Sequence, residues 1–277
     1  MAGERPERRQ HRRLKSLAQA ACPAYLLRGR KTLATSAKKQ KKSAAKASQA
    51  VRRRASSSTI APGPKFPPPW ELQGEGYIFP FRANVPYNLE HGFLSEPERA
   101  SYRGGLGAMM LVNYHQANCG PYQELLYIPG SFSYSGGNCK RITRIFVSSA
   151  ASVEWGMRNW AIPKDLAEFE WQKGERSTFV EVRQGRNVFL RARMERGLLP
   201  FPVSSAFFPF ALVQRGPEAL LRTRLRGRGT GRRIRLTEFF INEKYFPDMM
   251  ESGGGRFGIA VDPFRLVFPA AEVVPLA

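Results

Sequence analysis

Strand-like runs of apolar, aromatic and β-branched residues, rather than a helical period, dominate the chain from Trp70 onward. Residues 76–82 are aromatic and β-branched, and residues 122–130 indicate a strand that ends in a Pro-Gly turn. Residues 141–149 alternate apolar with polar side chains, as a half-buried strand does. Residues 105–116 are apolar almost throughout and open on glycines, which is typical of a strand buried on both faces. These segments predict a domain built mainly from β-strands.

The second half of the domain continues this pattern. Residues 177–195 predict a hairpin that turns at 184–186, and residues 223–242 predict a second hairpin with a glycine-rich tip. Residues 257–274 are expected to supply closing strands. Pro80 lacks a backbone donor, so its strand is expected to lie at an edge or to carry a bulge at that point.

Residues 152–172 differ from their surroundings and indicate helix. Ser152 is a candidate N-cap for a short helix that ends near Arg158. Pro163 breaks this helix, and as a first-turn proline it favours a second helix over residues 164–169. With few helices among many strands, the chain is predicted to be a β-rich α+β domain.

The net charge of +22 is concentrated at the N-terminus. Residues 1–60 contain 17 Lys or Arg against two acids, so +15 of the +22 belongs to this leader. Five prolines then force an extended linker over residues 61–69. The chain is therefore divided into a disordered basic leader (1–60), a proline-rich linker (61–69) and a folded domain (70–277).

The leader has the composition of an organellar transit peptide. It contains no acid between Arg8 and Ile60 and is rich in Ala, Ser, Lys and Arg. A disordered basic tail and a wrongly assigned start codon are alternatives that stay open. We expect a plastid or mitochondrial location if the leader is a transit peptide and a cytoplasmic one otherwise. No apolar run approaches the roughly 18–20 residues that cross a bilayer, so a soluble or peripheral protein is expected.

Cysteine and histidine are too sparse for a disulfide framework or a metal site. Cys22, Cys119 and Cys139 include no C-x-x-C pair, and two buried free thiols are expected in preference to a Cys119–Cys139 bridge. His115 and Cys119 supply two ligands, whereas zinc needs three or four, so neither a metal nor another cofactor is expected. The eight arginines within 215–235 are expected on a solvated edge hairpin, without specific nucleic-acid binding.

Three segments in order resemble the acetoacetate decarboxylase-like superfamily: WELQGEGYIFPFR, GPYQELLYIPG and RIFVSSAASVEWGMRNWAIPKDLAEF. That family has a Tyr-x-Glu strand upstream of a glycine-containing helix that ends in Pro-Lys. Those places are held here by Tyr122, Glu124, Gly156, Pro163 and Lys164. The chain is also similar to the neoxanthin-deficient proteins of plants and algae, which share the fold. The resemblance implies a mostly antiparallel sheet that closes into a cone-shaped barrel, with a few short helices and a polar pocket inside.

The resemblance also implies a site. Lys164 stands at the place of the family's Schiff-base lysine, and Glu124 is the expected acid or base. Tyr122 and Met109 are expected to bind substrate, Met109 because it stands where the family has an additional glutamate. Arg158 is a candidate carboxylate ligand, although a surface position on its helix is an equal alternative. An ordinary lysine is neutral in only about one molecule in 2,500 at pH 7. A nucleophilic lysine therefore needs a lowered pKa, and acetoacetate decarboxylase is itself the standard example of this activation.

Three departures from the family pattern narrow the expected chemistry. Asp165 replaces a second lysine that follows the first in the decarboxylases, and Gly74 stands where they have a carboxylate-binding arginine. The third is Met109, near the place of the family's additional glutamate. Two functions are therefore kept on this fold: a Schiff-base lyase acting on a keto compound through Lys164, and a non-catalytic binding or accessory protein, in one version in plastid pigment metabolism. A third hypothesis, an RNA-associated basic protein, rests on the leader and the arginine-rich segment. The expected partner is a small keto compound or an apolar metabolite, and assembly into a homo-oligomer is left open.

Overall fold

The computed structural model describes residues 65–207 and 211–276. The predicted leader, and the first part of the predicted linker up to residue 64, lie outside the described residues. Within the described ranges, no helix has both the length and the apolar character needed to cross a bilayer.

The described chain consists of sixteen strands and three short α-helices, with one 3₁₀ turn at Ser205–Phe207. The helices are α1 (Val85–His91), α2 (Glu96–Ser101) and α3 (Ala150–Trp160). The strands are β1 (Trp70–Arg82), β2 (Tyr102–Gly104), β3 (Leu106–Gln116), β4 (Tyr122–Ile128), β5 (Ser131–Tyr134), β6 (Gly137–Lys140), β7 (Arg144–Val147), β8 (Lys164–Leu166), β9 (Glu168–Lys173), β10 (Ser177–Gln184), β11 (Asn187–Ser204), β12 (Leu212–Arg215), β13 (Ala219–Thr223), β14 (Arg226–Ile241), β15 (Phe257–Phe268) and β16 (Glu272–Pro275).

Ten strands form one curled sheet in the order β8-β7-β4-β3-β1-β15-β14-β11-β10-β9. Every neighbouring pair is antiparallel except β7 and β8, which are parallel and connected through α3. The two edge strands, β8 and β9, are separated in the chain by Ala167 alone. The sheet therefore curls until its edges nearly meet, and the predicted β-rich, barrel-like α+β fold is confirmed.

The curled sheet encloses the main hydrophobic core. Eight of its ten strands contribute inward side chains to a single cluster, as alternation along each strand requires. Its largest fully buried members include Tyr77, Phe79, Met109, Leu111, Leu125, Tyr127, Phe146 and Phe189.

At one end of the interior the core becomes polar around Glu75 of β1. The buried Glu75 carboxylate accepts hydrogen bonds from Lys173 Nζ at 2.8 Å and from Asn113 Nδ2 at 3.3 Å. Lys173 Nζ also contacts Asp262 Oδ2 at 2.9 Å. Burial lowers the pKa of Lys173, but its hydrogen bonds to both carboxylates outweigh this and raise the pKa above its usual value. The interior acid is therefore paired, as a buried charge must be.

A smaller sheet of six strands, in the order β16-β13-β12-β6-β5-β2, adjoins the large one. Its core includes Leu94, Phe132, Cys139, Val213 and Leu220. Helices α1 and α2 lie in the connection between β1 and β2. Their ends follow ordinary capping rules, since Ser95 and Glu98 form a capping box at α2.

Two predicted elements are wrong. Residues 164–169 form β8 and the start of β9 instead of a helix. Residues 223–242 are not a hairpin, because they contain the single 16-residue strand β14, paired with β11 on one side and β15 on the other. Its glycines permit close packing instead of a turn: a Cβ at Gly231 would lie 2.5 Å from the Phe201 ring. The arginines of β14 therefore lie within the sheet and not on an edge hairpin.

The predicted hairpin of residues 177–195 is confirmed, and it turns at Gly185, which has a positive φ of 60°. The expectation for Pro80 is only partly met. Its strand β1 is an inner strand with its bulge at Gly74–Gly76, but the pairing with β15 ends at Ile78, so at Pro80 the strand pairs with β3 alone.

Gly74 tests how tightly β1 packs on β3. An added Cβ would lie 2.0 Å from the backbone oxygen of Asn113, and neither backbone can move away without breaking the ladder. We expect Gly74→Ala to lower the free energy of unfolding by about 2–3 kcal/mol in urea denaturation. Gly255→Ala is the matched control, because a Cβ there meets nothing within 4 Å, and it should change stability by less than about 1 kcal/mol. Equal effects of the two substitutions would contradict the packing.

The polar end of the interior can be tested by the effect of the Tyr77 hydroxyl on the pH dependence of stability. This hydroxyl lies 2.7 Å from Thr178 Oγ1, and burial raises the pKa of Tyr77 to about 12, whereas an unfolded tyrosine has a pKa near 10. The folded state keeps this proton longer, so the contribution to stability is complete below pH 10 and is lost as the pH rises towards 12. From about pH 9 to about pH 11, wild type should lose about 1.4 kcal/mol more than Tyr77→Phe in urea unfolding. Parallel losses would show that the hydroxyl titrates as in the unfolded chain.

Candidate active site

The structure brings the predicted nucleophile and the predicted acid together. Lys164 Nζ donates to Glu124 Oε2 at 3.1 Å and to Ser152 Oγ at 2.9 Å. The side chains of Lys164 and Glu124 are 4% and 6% exposed. They reach each other from β8 and β4, which are separated by β7 alone. An amine and a carboxylate therefore share one site from which water is almost excluded.

Aromatic rings complete the surroundings of the amine. Nζ lies 5.2 Å from the ring centre of Tyr122, a predicted substrate-binding residue, and 5.9 Å from that of Trp70. The Tyr114 hydroxyl donates to Glu124 Oε1 at 3.2 Å. Burial, reinforced by the charge of Glu124, raises the pKa of Tyr114 well above its usual value, so this hydroxyl keeps its proton and acts as a donor to the carboxylate.

Helix α3 covers the pair with a stripe of three buried residues, Ser152, Gly156 and Trp160, spaced four apart. Its N-cap is Ser149, whose hydroxyl accepts from the backbone of Ser152 at 3.3 Å. The prediction that Ser152 caps the helix is therefore wrong, and its side chain is free to bind the amine. At Gly156 an added Cβ would lie 2.8 Å from both Cδ and Cε of Lys164, so the glycine makes room for the lysine stem.

Because Lys164–Leu166 is a strand, Lys164 and Asp165 project to opposite faces of the sheet. Asp165 forms an ion pair with Arg144, and Arg144 Nε also donates to the carbonyl of Tyr245 at 2.8 Å. The acid that replaces the second lysine of the decarboxylases is thus neutralised on the other face. Its charge does not act next to the amine.

Two further sequence-predicted residues are not brought to the pair. Met109 is fully buried in the barrel interior, on the opposite face of the sheet, while the neighbour of Glu124 across β3 is Val112. Arg158 lies on the outer side of α3, 62% exposed, and pairs with Glu154 at 2.9 Å. The alternative interpretation of Arg158, a surface helix cation, describes its position.

The pair lies on the face of the sheet that α3 covers, opposite to the barrel core. The expected pocket inside the barrel is therefore not where Lys164 is found. The layer around the pair is a separate hydrophobic cluster, to which Trp70, Tyr114, Tyr122 and Trp160 belong.

The β3–β4 turn brings a thiol close to the site. Cys119 is half-buried; burial raises its pKa, and the charge of Lys164 opposes this. Cys139 is also free, so the expectation of two free thiols is confirmed, and Cys139 is the one that is fully buried. In the described ranges, no three His, Cys, Asp or Glu residues lie together in a way that could hold a metal ion.

No family model and no curated protein sequence matches this chain. Solved structures do match. An acetoacetate decarboxylase-like enzyme from Sphingomonas wittichii gives a TM-score of 0.57 at 10% identity, over 80% of this chain and 100% of its own. The acetoacetate decarboxylase of Legionella pneumophila gives 0.54 at 14% identity, over 78% and 93%. The enduracididine biosynthesis enzyme MppR, complexed with pyruvate, gives 0.56 at 13% identity, over 78% and 94%. This chain has the acetoacetate decarboxylase-like fold.

Within this acetoacetate decarboxylase-like fold, the motifs that carried the resemblance are the segments that meet in space. The Tyr122–Glu124 strand and the Pro163–Lys164 end of the helical segment supply the carboxylate and the amine. Identities of 10–14% establish the fold alone.

Sequence reasoning missed three residues that touch the pair: Trp70, Tyr114 and Ser152. Ser152 could have been found, because it precedes Gly156 by four residues and so lies on the same face of a helix as the glycine. Tyr114 precedes Glu124 by ten residues on the adjacent strand, and no local pattern indicates this contact.

Gly156 tests the packing of α3 on Lys164. Alanine would gain up to about 1 kcal/mol in helix propensity, but its Cβ would overlap the buried lysine stem. We expect a net loss of about 1–2 kcal/mol in urea unfolding of Gly156→Ala. Met157→Ala, one residue on and 51% exposed, is the control and should stay within about 0.5 kcal/mol of wild type. A more stable Gly156→Ala protein would show that Lys164 moves aside freely.

Proposed function

We propose that this protein is a Schiff-base enzyme of the lyase type, which acts on a keto compound with Lys164 as nucleophile and Glu124 as acid and base. The observation that carries the proposal is the buried contact between Lys164 Nζ and Glu124 Oε2 at 3.1 Å. A nucleophile and a base within hydrogen-bond reach, oriented by a third group, is the arrangement that covalent catalysis requires. Ser152 is that third group here.

Attack on a carbonyl requires an uncharged amine, and Glu124 is placed to take the proton. Transfer of one proton from Nζ to Oε2 converts the ion pair into a neutral amine and a neutral carboxylic acid. Burial penalises charged forms more than neutral ones, so the enclosed site lowers the cost of this transfer. Tyr114 and Ser152 remain as hydrogen-bond partners of the carboxyl group and of the amine.

The first covalent steps then follow from the geometry. The Lys164 nitrogen forms a bond to the carbonyl carbon, and the π electrons of the carbonyl move to its oxygen, which takes a proton from the amine. The carbinolamine hydroxyl accepts the proton held by Glu124 and leaves as water, which yields a protonated imine beside the Glu124 carboxylate. The imine can then accept the electron pair of a breaking C–C bond.

Known proteins of this fold support this chemistry. One is named acetoacetate decarboxylase, and another was solved with pyruvate, a keto acid.

A second candidate function is a non-catalytic binding or accessory protein. The observation in its favour is that the Lys164 amine is already satisfied by Glu124 and Ser152 in a nearly closed layer, as in a structural ion pair. The version in plastid pigment metabolism further proposes that the leader is a transit peptide. Unchanged carotenoid composition after deletion of the gene would contradict that version.

Trapping of the imine distinguishes the Schiff-base enzyme from the non-catalytic binding protein. The full chain is incubated with acetoacetate, pyruvate and acetone in turn, reduced with borohydride and mapped by peptide mass. We expect an adduct on Lys164, none at that peptide in Lys164→Ala, and labelling slowed by about 10²- to 10⁴-fold in Glu124→Gln. Lys244→Ala, which changes an exposed lysine, should leave labelling of Lys164 intact. Absence of a Lys164 adduct with every ketone would contradict the enzyme and favour the binding protein.

A further inference from the structure

We propose that the carbonyl compound accepted at Lys164 is uncharged, and that Glu124 discriminates against keto acids. This inference rests on the proposed imine chemistry and adds its substrate class: a neutral ketone or aldehyde with an apolar skeleton.

The charges of the site are already balanced before substrate binds. In the described part of the chain, one ion pair lies in the layer beneath α3, and it is formed by Lys164 and Glu124. The charged groups that act on the thiol of Cys119, at the rim of the layer, are the same two. The amine is otherwise surrounded by uncharged groups: the Ser152 hydroxyl and the rings of Trp70 and Tyr122.

Imine formation with a neutral ketone preserves this balance. The protonated amine and the ketone give a protonated imine and water, so one positive charge still faces the one carboxylate of Glu124. A keto acid would add a second carboxylate to the same enclosed layer and leave one negative charge without a partner. Desolvation of an unpaired carboxylate is strongly unfavourable.

None of the positions expected to supply a balancing cation can do so. Gly74 stands at the place of the arginine in the decarboxylases. Any side chain there would overlap the Asn113 carbonyl, because its Cβ would lie 2.0 Å from the carbonyl oxygen. The position after the nucleophile is Asp165, which faces the other side of the sheet with Arg144. Arg158 is 62% exposed and paired with Glu154.

The aromatic rings around the amine are suited to an uncharged, apolar substrate. Trp70 and Tyr122 place ring faces within 6 Å of Nζ, where they can stabilise a protonated imine by cation–π interaction. The same rings and Val112, the cross-strand neighbour of Glu124, offer apolar contact to a hydrocarbon chain. The polar donors beside them are already used: Trp70 Nε1 donates to the carbonyl of Phe66 at 2.9 Å, and the Tyr114 hydroxyl donates to Glu124.

A matched pair of ketones tests this inference. Levulinate and methyl isoamyl ketone have similar shapes, but an isopropyl group replaces the carboxylate in the second. The full chain is incubated with equal concentrations of both and cyanoborohydride near neutral pH, and the two adducts on Lys164 are quantified by mass spectrometry. Adducts on exposed Lys244 in the same sample correct for intrinsic reactivity. We expect the uncharged ketone to be preferred at Lys164 by about tenfold or more.

Two variants identify the source of the preference. Glu124→Gln removes the negative charge, so the ratio should shift towards levulinate by about tenfold, even though total labelling falls. Arg158→Ala should leave the ratio unchanged. Preferential labelling of Lys164 by levulinate, or loss of levulinate labelling in Arg158→Ala, would overturn the inference and leave the imine chemistry standing. Labelling of Lys164 by neither ketone would remove the proposed function itself.

Discussion

The buried contact between Lys164 and Glu124 is the interaction on which the arrangement of this protein's candidate site depends. Two opposite charges can lie at 4–6% exposure only if each finds further partners. Ser152 and Tyr114 supply the hydrogen bonds, and Gly156 leaves the space in which the lysine stem lies against α3. Strands β7 and β8 are the one parallel pair of the large sheet. They are parallel because α3 connects them by crossing over this site before the chain returns beside β7.

The large sheet separates two polar groups that have different roles. Inside the barrel, the buried Glu75 is neutralised by the partly exposed Lys173, which Asp262 shares, so one amine faces two carboxylates. On the face beneath α3, both members of the pair are buried, and a single amine and a single carboxylate are able to exchange one proton. Alternation along the strands assigns each residue to one face: Asp165 is kept away from the amine although it is its neighbour in sequence, and Met109 is kept inside the barrel. The candidate chemistry follows from this assignment more than from the list of residues present.

Much of the fold was predictable because strands of this length leave a recognisable pattern of apolar, aromatic and β-branched residues. Both motifs of the site are also short local patterns. The errors have physical causes. Pro163 is as suitable before a strand as in the first turn of a helix, and only pairing with β7 decides between them. The glycines of β14 have the composition of a hairpin tip, yet they serve close contact between long neighbouring strands, as Gly231 shows against Phe201. Both errors replaced a long-range pairing by a local rule.

The amino-acid sequence by itself determined that the domain after Trp70 is β-rich and has few helices, because these follow from local patterns along the chain. That Glu124 and Lys164 belong to one site was implied by the family resemblance that their motifs carry. Only the tertiary structure decided what surrounds that site. The contacts of Ser152 and Tyr114, the closure of Gly74 to any side chain, and the turning of Asp165, Met109 and Arg158 away from the amine all depend on which face of a strand or helix meets which neighbour. Such information is carried by pairing across the sheet, which no single segment of the chain contains.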